Sequence, residues 1–130
     1  MAYKKYGHVK RGKREDLGNI YFRSGWEANW ARYLDFLKKH GEIAKWEYEP
    51  DTFEFHAIKR GTRFYTPDFK ITNNDGSVVY HEVKGHMSQQ GKTKLKRMAK
   101  YYPEVEIIII GPQDYRRIEK QIGPVIKNWE

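Results

Sequence analysis

The 130-residue chain has no cysteine. That excludes a disulfide framework and any thiolate-held metal, and it makes an intracellular, cytoplasmic location the expectation. Long apolar runs are also missing. The longest, Val105 to Ile110, is interrupted by Glu106 and falls far short of the ~20 residues that span a bilayer. No membrane partner is expected. The opening Met1-Ala-Tyr-Lys-Lys is basic but has no apolar segment behind it, so no signal peptide is expected. No glycine-rich phosphate loop is present, which argues against ATP use. His81 and His86 are five apart and lie outside any helical pattern, so they do not form a His-Glu-x-x-His zinc site.

What the chain does have is positive charge and aromatic rings. The net charge is +8, and aromatics make up 15% of the residues. The length suits one domain with one core. Residues 1–16 hold Lys4, Lys5, Lys10, Arg11, Lys13 and Arg14 against Glu15 and Asp16, and they lack periodicity. They read as a flexible basic arm ahead of a single domain at 17–130. A basic excess of this size fits a polyanionic partner.

Hydrophobic spacing predicts the elements. Gly18 to Phe22 suits a short strand. Ser24 followed by Glu27 is a capping-box pattern, and Trp26, Trp30, Tyr33, Leu34 and Leu37 then recur on one helical face. Lys38, Lys39 and His40 complement the helix dipole, and Gly41 stops the helix. Strands are expected at 46–49, at 53–57, where Phe53, Phe55 and Ala57 alternate with polar residues, and at 63–72, where Pro67 intrudes. Asn73-Asn74-Asp75-Gly76 is a hairpin signal, leading into a strand at 77–84. A helix at 91–102, with Leu95, Met98, Ala99 and Tyr102 inward, is followed by a buried parallel or central strand at 105–110 and a helix at 114–122. This order implies an α/β fold with a mixed central sheet flanked by helices.

The hairpin carries the chemistry. On a strand, Glu82 and Lys84 share one face, and His81 faces the other way. If Asn74-Asp75-Gly76 forms a three-residue loop with glycine in the left-handed position, Asn73 pairs with Ser77, which places Asp68 opposite Glu82. Opposed Cβ atoms lie about 4.5–5.5 Å apart, and like charges there repel. A divalent cation between them reverses the sign. Hard carboxylate oxygens suit Mg²⁺, with Mn²⁺ as a substitute. Lys84 is placed to orient an attacking water and offset charge on phosphoryl oxygens. Glu27, at the start of the first helix, could add a third carboxylate or hold a metal-bound water. On the second helix Lys92, Lys96 and Lys100 recur every four residues, beside Lys94, as a stripe for phosphates.

Phe22-Arg-Ser-Gly-Trp-Glu27, Trp46-Glu-Tyr-Glu49, Tyr65-Thr-Pro-Asp-Phe69 and Glu82-Val-Lys-Gly85 occur in that order. Together they resemble the PD-(D/E)XK nuclease superfamily, and within it the phage endonuclease I-type Holliday junction resolvases. The resemblance implies a restriction-endonuclease-like fold and a homodimer that cuts four-way DNA junctions symmetrically by phosphodiester hydrolysis, in a bacterial or phage-infected cell. It also implies catalytic positions at Glu27, Asp68, Glu82 and Lys84. The expected metal ligands are Asp68, Glu82, the Val83 backbone carbonyl and, through water, Glu27. Expected DNA contacts are Lys10, Arg11, Lys13, Arg14, Arg23, Lys92, Lys94, Lys96 and Lys100. The stretch from Glu49 to Arg63 is where segment exchange between subunits is expected. The competing readings are a less selective DNase of the same fold, an RNase, and a DNA-binding module without catalysis.

Overall fold

A computed structural model describes residues 10–130; the part of the arm at residues 1–9 lies outside the described residues. The helices are α1 (Gly25–Lys39), α2 (Gln89–Tyr101) and α3 (Pro112–Gln121), and the strands are β1 (Gly12–Arg14), β2 (Ile20–Phe22), β3 (Lys45–Tyr48), β4 (Phe53–Glu54), β5 (Phe64–Tyr65), β6 (Phe69–Thr72), β7 (Val78–Val83) and β8 (Ile107–Ile110). A four-stranded sheet runs β3-β6-β7-β8, with β1-β2 and β4-β5 as separate ribbons. β7 and β8 are parallel, and the other pairs are antiparallel. The chain is thus a mixed α/β fold.

Strand alternation sorts the two faces of the sheet. Phe69, Ile71, Val79, Val83 and Ile110 join Trp30, Ala31 and Leu34 of α1 and Tyr115 of α3 in the larger core. On the opposite face Ile107 packs with Phe55, Tyr65 and Met98, which brings α2 and the β4–β5 ribbon there. The Trp30 indole N–H donates to His81 Nδ1 at 3.0 Å, so His81 belongs to the α1 side, away from Glu82.

Several expectations shift for identifiable reasons. The arm is not free as far as residue 16. Gly12–Arg14 pairs with Ile20–Phe22, and a 3-10 turn spans Glu15–Leu17. The expected strand at 63–72 divides at Pro67, which is fully buried and has no N–H to donate. Its halves enter different sheets. The strand at 53–57 stops after Glu54, because the chain turns, with the Ile58 N–H bonded to the Phe55 carbonyl at 2.9 Å. Phe55 is fully buried but Ala57 is exposed. On α2, Tyr101 takes the inward position expected of Ala99, which is exposed. β8 is parallel as expected, yet it is an outer strand of the sheet and Ile108 is exposed.

The polar side of α1 is buried as well. Asn29 and Arg32 are covered by the chain's last residues. Glu130 bridges Arg14 and Arg32, each at 2.8 Å, and Asp16 closes the other side of Arg32 at 2.8 Å. Arg14 is therefore a structural cation, only 8% exposed, and not the DNA-backbone contact that its place in a basic run suggests. Glu130→Ala leaves two guanidinium groups facing each other without their shared acid. Losing one partner of a fully buried pair costs about 3–5 kcal/mol. Glu130 is a quarter exposed, so a loss of roughly 1–3 kcal/mol is expected by urea denaturation. Asp114→Ala, which breaks an exposed pair with Arg117, should cost under about 1 kcal/mol. Equal effects from the two substitutions would contradict a structural role for the Glu130 network.

Candidate active site

The turn between β6 and β7 sets the register. Gly76 is left-handed (φ 89°). The Asn73 N–H bonds to the Ser77 carbonyl at 2.8 Å, and the Gly76 N–H to the Asn73 carbonyl at 2.9 Å. Asp75 Oδ1 accepts the Ser77 N–H at 2.9 Å. The ladder then pairs Thr72 with Val78 and Phe69 with His81, so the next pair along is Asp68 and Glu82. The expected opposition holds.

Both carboxylates are buried, Asp68 at 3% and Glu82 at 6% exposure. Each spends one oxygen on the scaffold. Asp68 Oδ2 accepts the Val83 N–H at 2.8 Å. Glu82 Oε1 accepts the Asp68 N–H at 3.2 Å and the Tyr65 hydroxyl at 3.1 Å. Each gives its other oxygen to a cation. Glu82 Oε2 lies 3.1 Å from Lys84 Nζ, and Asp68 Oδ1 lies 3.4 Å from Arg23.

Glu27 arrives from the first turn of α1. Ser24 Oγ accepts the Glu27 N–H at 3.1 Å, as a capping box requires. The return bond differs by one residue: Glu27 Oε1 accepts from the Arg23 N–H at 3.2 Å, where the motif would use the Ser24 N–H. The same oxygen accepts the Tyr48 hydroxyl at 2.7 Å. Glu27 thus fixes the helix start and lines the cleft.

The cleft has a volume of about 370 Å³, and Arg23, Glu27, Glu49, Asp68, Glu82 and Lys84 line it, with Val83 and Lys94. All four expected catalytic side chains meet here. The expected DNA-contact residues separate. Arg23 and Lys94 face the cleft. Lys92, Lys96 and Lys100 lie on the exposed side of α2, and Lys10, Arg11 and Lys13 are exposed near the start of the described chain. Segment 49–63 folds back within the chain, with Phe53 paired to Tyr65.

Sequence reasoning gave Glu49 no place in the site. It sits just past β3 in a left-handed conformation (φ 50°), uncommon for a residue with a side chain. Its N–H bonds to the Asp68 carbonyl at 2.8 Å, and its carboxylate pairs with Arg23. The signals for it were its place at the end of the matching segment Trp46-Glu-Tyr-Glu49 and an acid between a strand and Pro50. Tyr65 and Tyr48 were also missed. Burial and their acidic acceptors push both phenols far up, so they stay neutral donors that hold Glu82 and Glu27.

The donor set fits a hard divalent cation. Two opposed carboxylates each keep one oxygen off the backbone, and Mg²⁺ binds through one or two carboxylates while keeping several waters. Among the described residues no group of three or more His, Asp or Glu side chains is placed to hold a metal ion, so the protein's own share would come from the opposed pair. Asp68 shows the strain of the arrangement. Its carboxyl is held well above its ordinary range, first by burial and then by the charges of Glu82 and Glu27.

A family model matches residues 4–116. The chain belongs to that family, whose description is "Protein of unknown function (DUF1064)". No curated protein matches the chain. The family description carries no chemistry, so the geometry of the cleft is what bears on activity.

The raised Asp68 carboxyl has a stability signature. The folded state binds that proton more tightly than the unfolded chain, so its contribution is full below the ordinary value of 3.8 and is lost as pH rises through the folded-state value. His81 acts in the opposite direction. Burial lowers it from 6.5 to about 4, so its contribution is present above the ordinary value and lost as pH falls toward 4. In chelating buffer, Asp68→Asn should be more stable than the parent near neutrality and lose that advantage toward low pH. His81→Gln should flatten the acid side by on the order of 2–3 kcal/mol. Urea denaturation at a series of pH values reads both. Parent-to-variant differences that do not change with pH would refute the burial argument.

Proposed function

We propose that this chain is a Mg²⁺-dependent, structure-specific DNA endonuclease of PD-(D/E)XK type, with a restriction-endonuclease-like fold, that resolves four-way junctions as a homodimer in the cytoplasm. The observation that carries the reading is the buried Asp68–Glu82 pair with Lys84 3.1 Å from Glu82. Opposed carboxylates without a cation are unfavourable. A site that keeps them, and places an amine beside them in a cleft of a +8 chain, suits hydrolysis of a polyanion.

The protein groups divide the work. Asp68 and Glu82 would hold the cation, with the Val83 carbonyl and Glu27, through water, completing its shell. When bound, the ion polarises a phosphate oxygen and lowers the pKa of a coordinated water. Tyr65 and the Val83 and Asp68 N–H groups lock both acids in orientation. Lys84 hydrogen-bonds the attacking water and offsets charge growing on the phosphoryl oxygens. Arg23 and Lys94 receive phosphates flanking the cut, and Lys92, Lys96 and Lys100 with Lys10, Arg11 and Lys13 meet the backbone further out. Two copies are needed to cut both strands of a junction symmetrically, and the resemblance to endonuclease I-type resolvases supplies that arrangement. Among the described residues no helix is long and apolar enough to cross a membrane.

The test compares four-way junction, flap, linear duplex and a ribose-substituted junction, with Mg²⁺ and with chelator. Junction cleavage that needs the ion is expected. Lys84→Ala should slow it by about 10²–10³-fold, the size of losing one transition-state donor, and Asp68→Asn should abolish it. Equal cutting of all DNA substrates would leave a general DNase, and preference for ribose an RNase. Tight junction binding without cutting in Mg²⁺ or Mn²⁺ would leave a binding module.

A further inference from the structure

Arg23 is the cleft cation that meets the most acids. Its guanidinium pairs with Glu49, lies 3.4 Å from Asp68 Oδ1 and 3.8 Å from Glu27 Oε2. It contacts three acids from three separate places in the chain. Lys84 pairs with Glu82. Arg23 is also half exposed at the cleft mouth, whereas Asp68 and Glu82 are buried and tied to backbone. It is therefore the movable cation of the cluster.

We propose that Arg23 is a built-in surrogate cation: in the metal-free protein it occupies the outward oxygen of Asp68 that a divalent ion needs, and the ion must displace it to bind. The inference rests on the reading of Asp68 and Glu82 as cation ligands. Three features of the chain support it. First, the oxygen that Arg23 covers is the one Asp68 does not spend on Val83, so guanidinium and metal compete for a single atom. Second, the contact to Asp68, at 3.4 Å, is longer than the one to Glu49, and hydrogen bonds weaken toward that distance. Arg23 can let go of Asp68 and keep Glu49. Third, Glu49 reaches it from a left-handed backbone position, a conformation that costs energy for a residue with a side chain and that aims an acid at the mouth. A fork with five N–H donors bridges several carboxylates at once, which a lysine ammonium does less well.

The surrogate resolves a folding problem. Without Arg23 or a metal ion, Asp68, Glu82, Glu27 and Glu49 would share one small cleft with only Lys84 and Lys94 to offset them. Arg23 lets the chain fold before metal arrives, and the cost is weaker metal binding.

Isothermal titration of the full-length protein with Mn²⁺, alongside thermal unfolding in chelator and in Mn²⁺, tests this without relying on cleavage. Arg23→Gln should lower the melting temperature in chelator, recover most of the loss in Mn²⁺, and tighten Mn²⁺ binding by roughly tenfold, as removing one nearby positive charge implies. Arg23→Lys should fall between parent and Arg23→Gln. Lys39→Gln, at the far end of α1 and mostly exposed, should match the parent within about twofold. If Asp68→Asn abolishes binding while Arg23→Gln binds as the parent does, the surrogate fails and the metal reading stands. Weaker Mn²⁺ binding in Arg23→Gln would also overturn it, by making the guanidinium part of the binding site. If neither parent nor Arg23→Gln takes up Mn²⁺, both readings fall together.

Discussion

The opposed acids at the centre of the cleft follow from one register. The three-residue turn at Asn74–Gly76 places Asp68 directly across from Glu82, and strand periodicity then puts Lys84 on the same face. A slip of one residue in either strand would turn its acid toward α1, into the core that holds Phe69 and Val83. That core makes such a slip costly, because it would turn Phe69 and Ile71, or else Val79 and Val83, out of it. Hydrophobic packing on one side of the sheet therefore enforces electrostatic repulsion on the other. The scaffold tolerates the repulsion by giving each acid a fixed hydrogen-bond partner and a cation.

The hairpin and the first helix were legible in the sequence because their signals are local. A turn signal and a period of two need only neighbouring residues, and they put Asp68, Glu82 and Lys84 together. A capping pattern and a period of 3.6 put Glu27 at the start of a helix, and only the resemblance of Phe22-Arg-Ser-Gly-Trp-Glu27 to the nuclease superfamily joined it to them. What escaped was long-range. Arg14 sits in a basic run that looks solvated, and only its bond with Glu130, 116 positions away, shows it to be buried. Glu49 looks like a strand-end acid until the β3–β6 pairing brings it over Asp68. Ala99 and Tyr101 flank the stripe of Met98 and Tyr102 on opposite sides, and the ribbon carrying Phe55 decides which flank is buried. The apolar run at 105–110 signalled a buried parallel or central strand, and the strand at Ile107–Ile110 is parallel but not central. It could not signal that, among the described residues, β8 has a strand on one side only, since apolar content marks burial of faces and not of edges.

Two charged clusters sit on opposite sides of α1, and they are solved differently. Around Arg32 the charges come as matched opposites, Asp16 and Glu130 against Arg14 and Arg32, closed off by the last residues of the described chain. In the cleft, acids outnumber cations and the mouth stays open. The first pattern locks an interface, and the second leaves electrostatic energy that a ligand can relieve. That contrast separates a structural ion network from a reactive one more clearly than burial alone, since Arg14 and Asp68 are both nearly inaccessible.

Glu27 joins these themes. One of its oxygens is held by the Arg23 amide and by Tyr48, while Ser24 secures its own amide. The same residue thus anchors the beginning of a helix that carries much of the core. Mutational tolerance at this position should mirror both duties. A glutamine could keep the anchor and lose the negative charge, an aspartate would keep the charge on a shorter stem, and neither replacement preserves the pair of roles together.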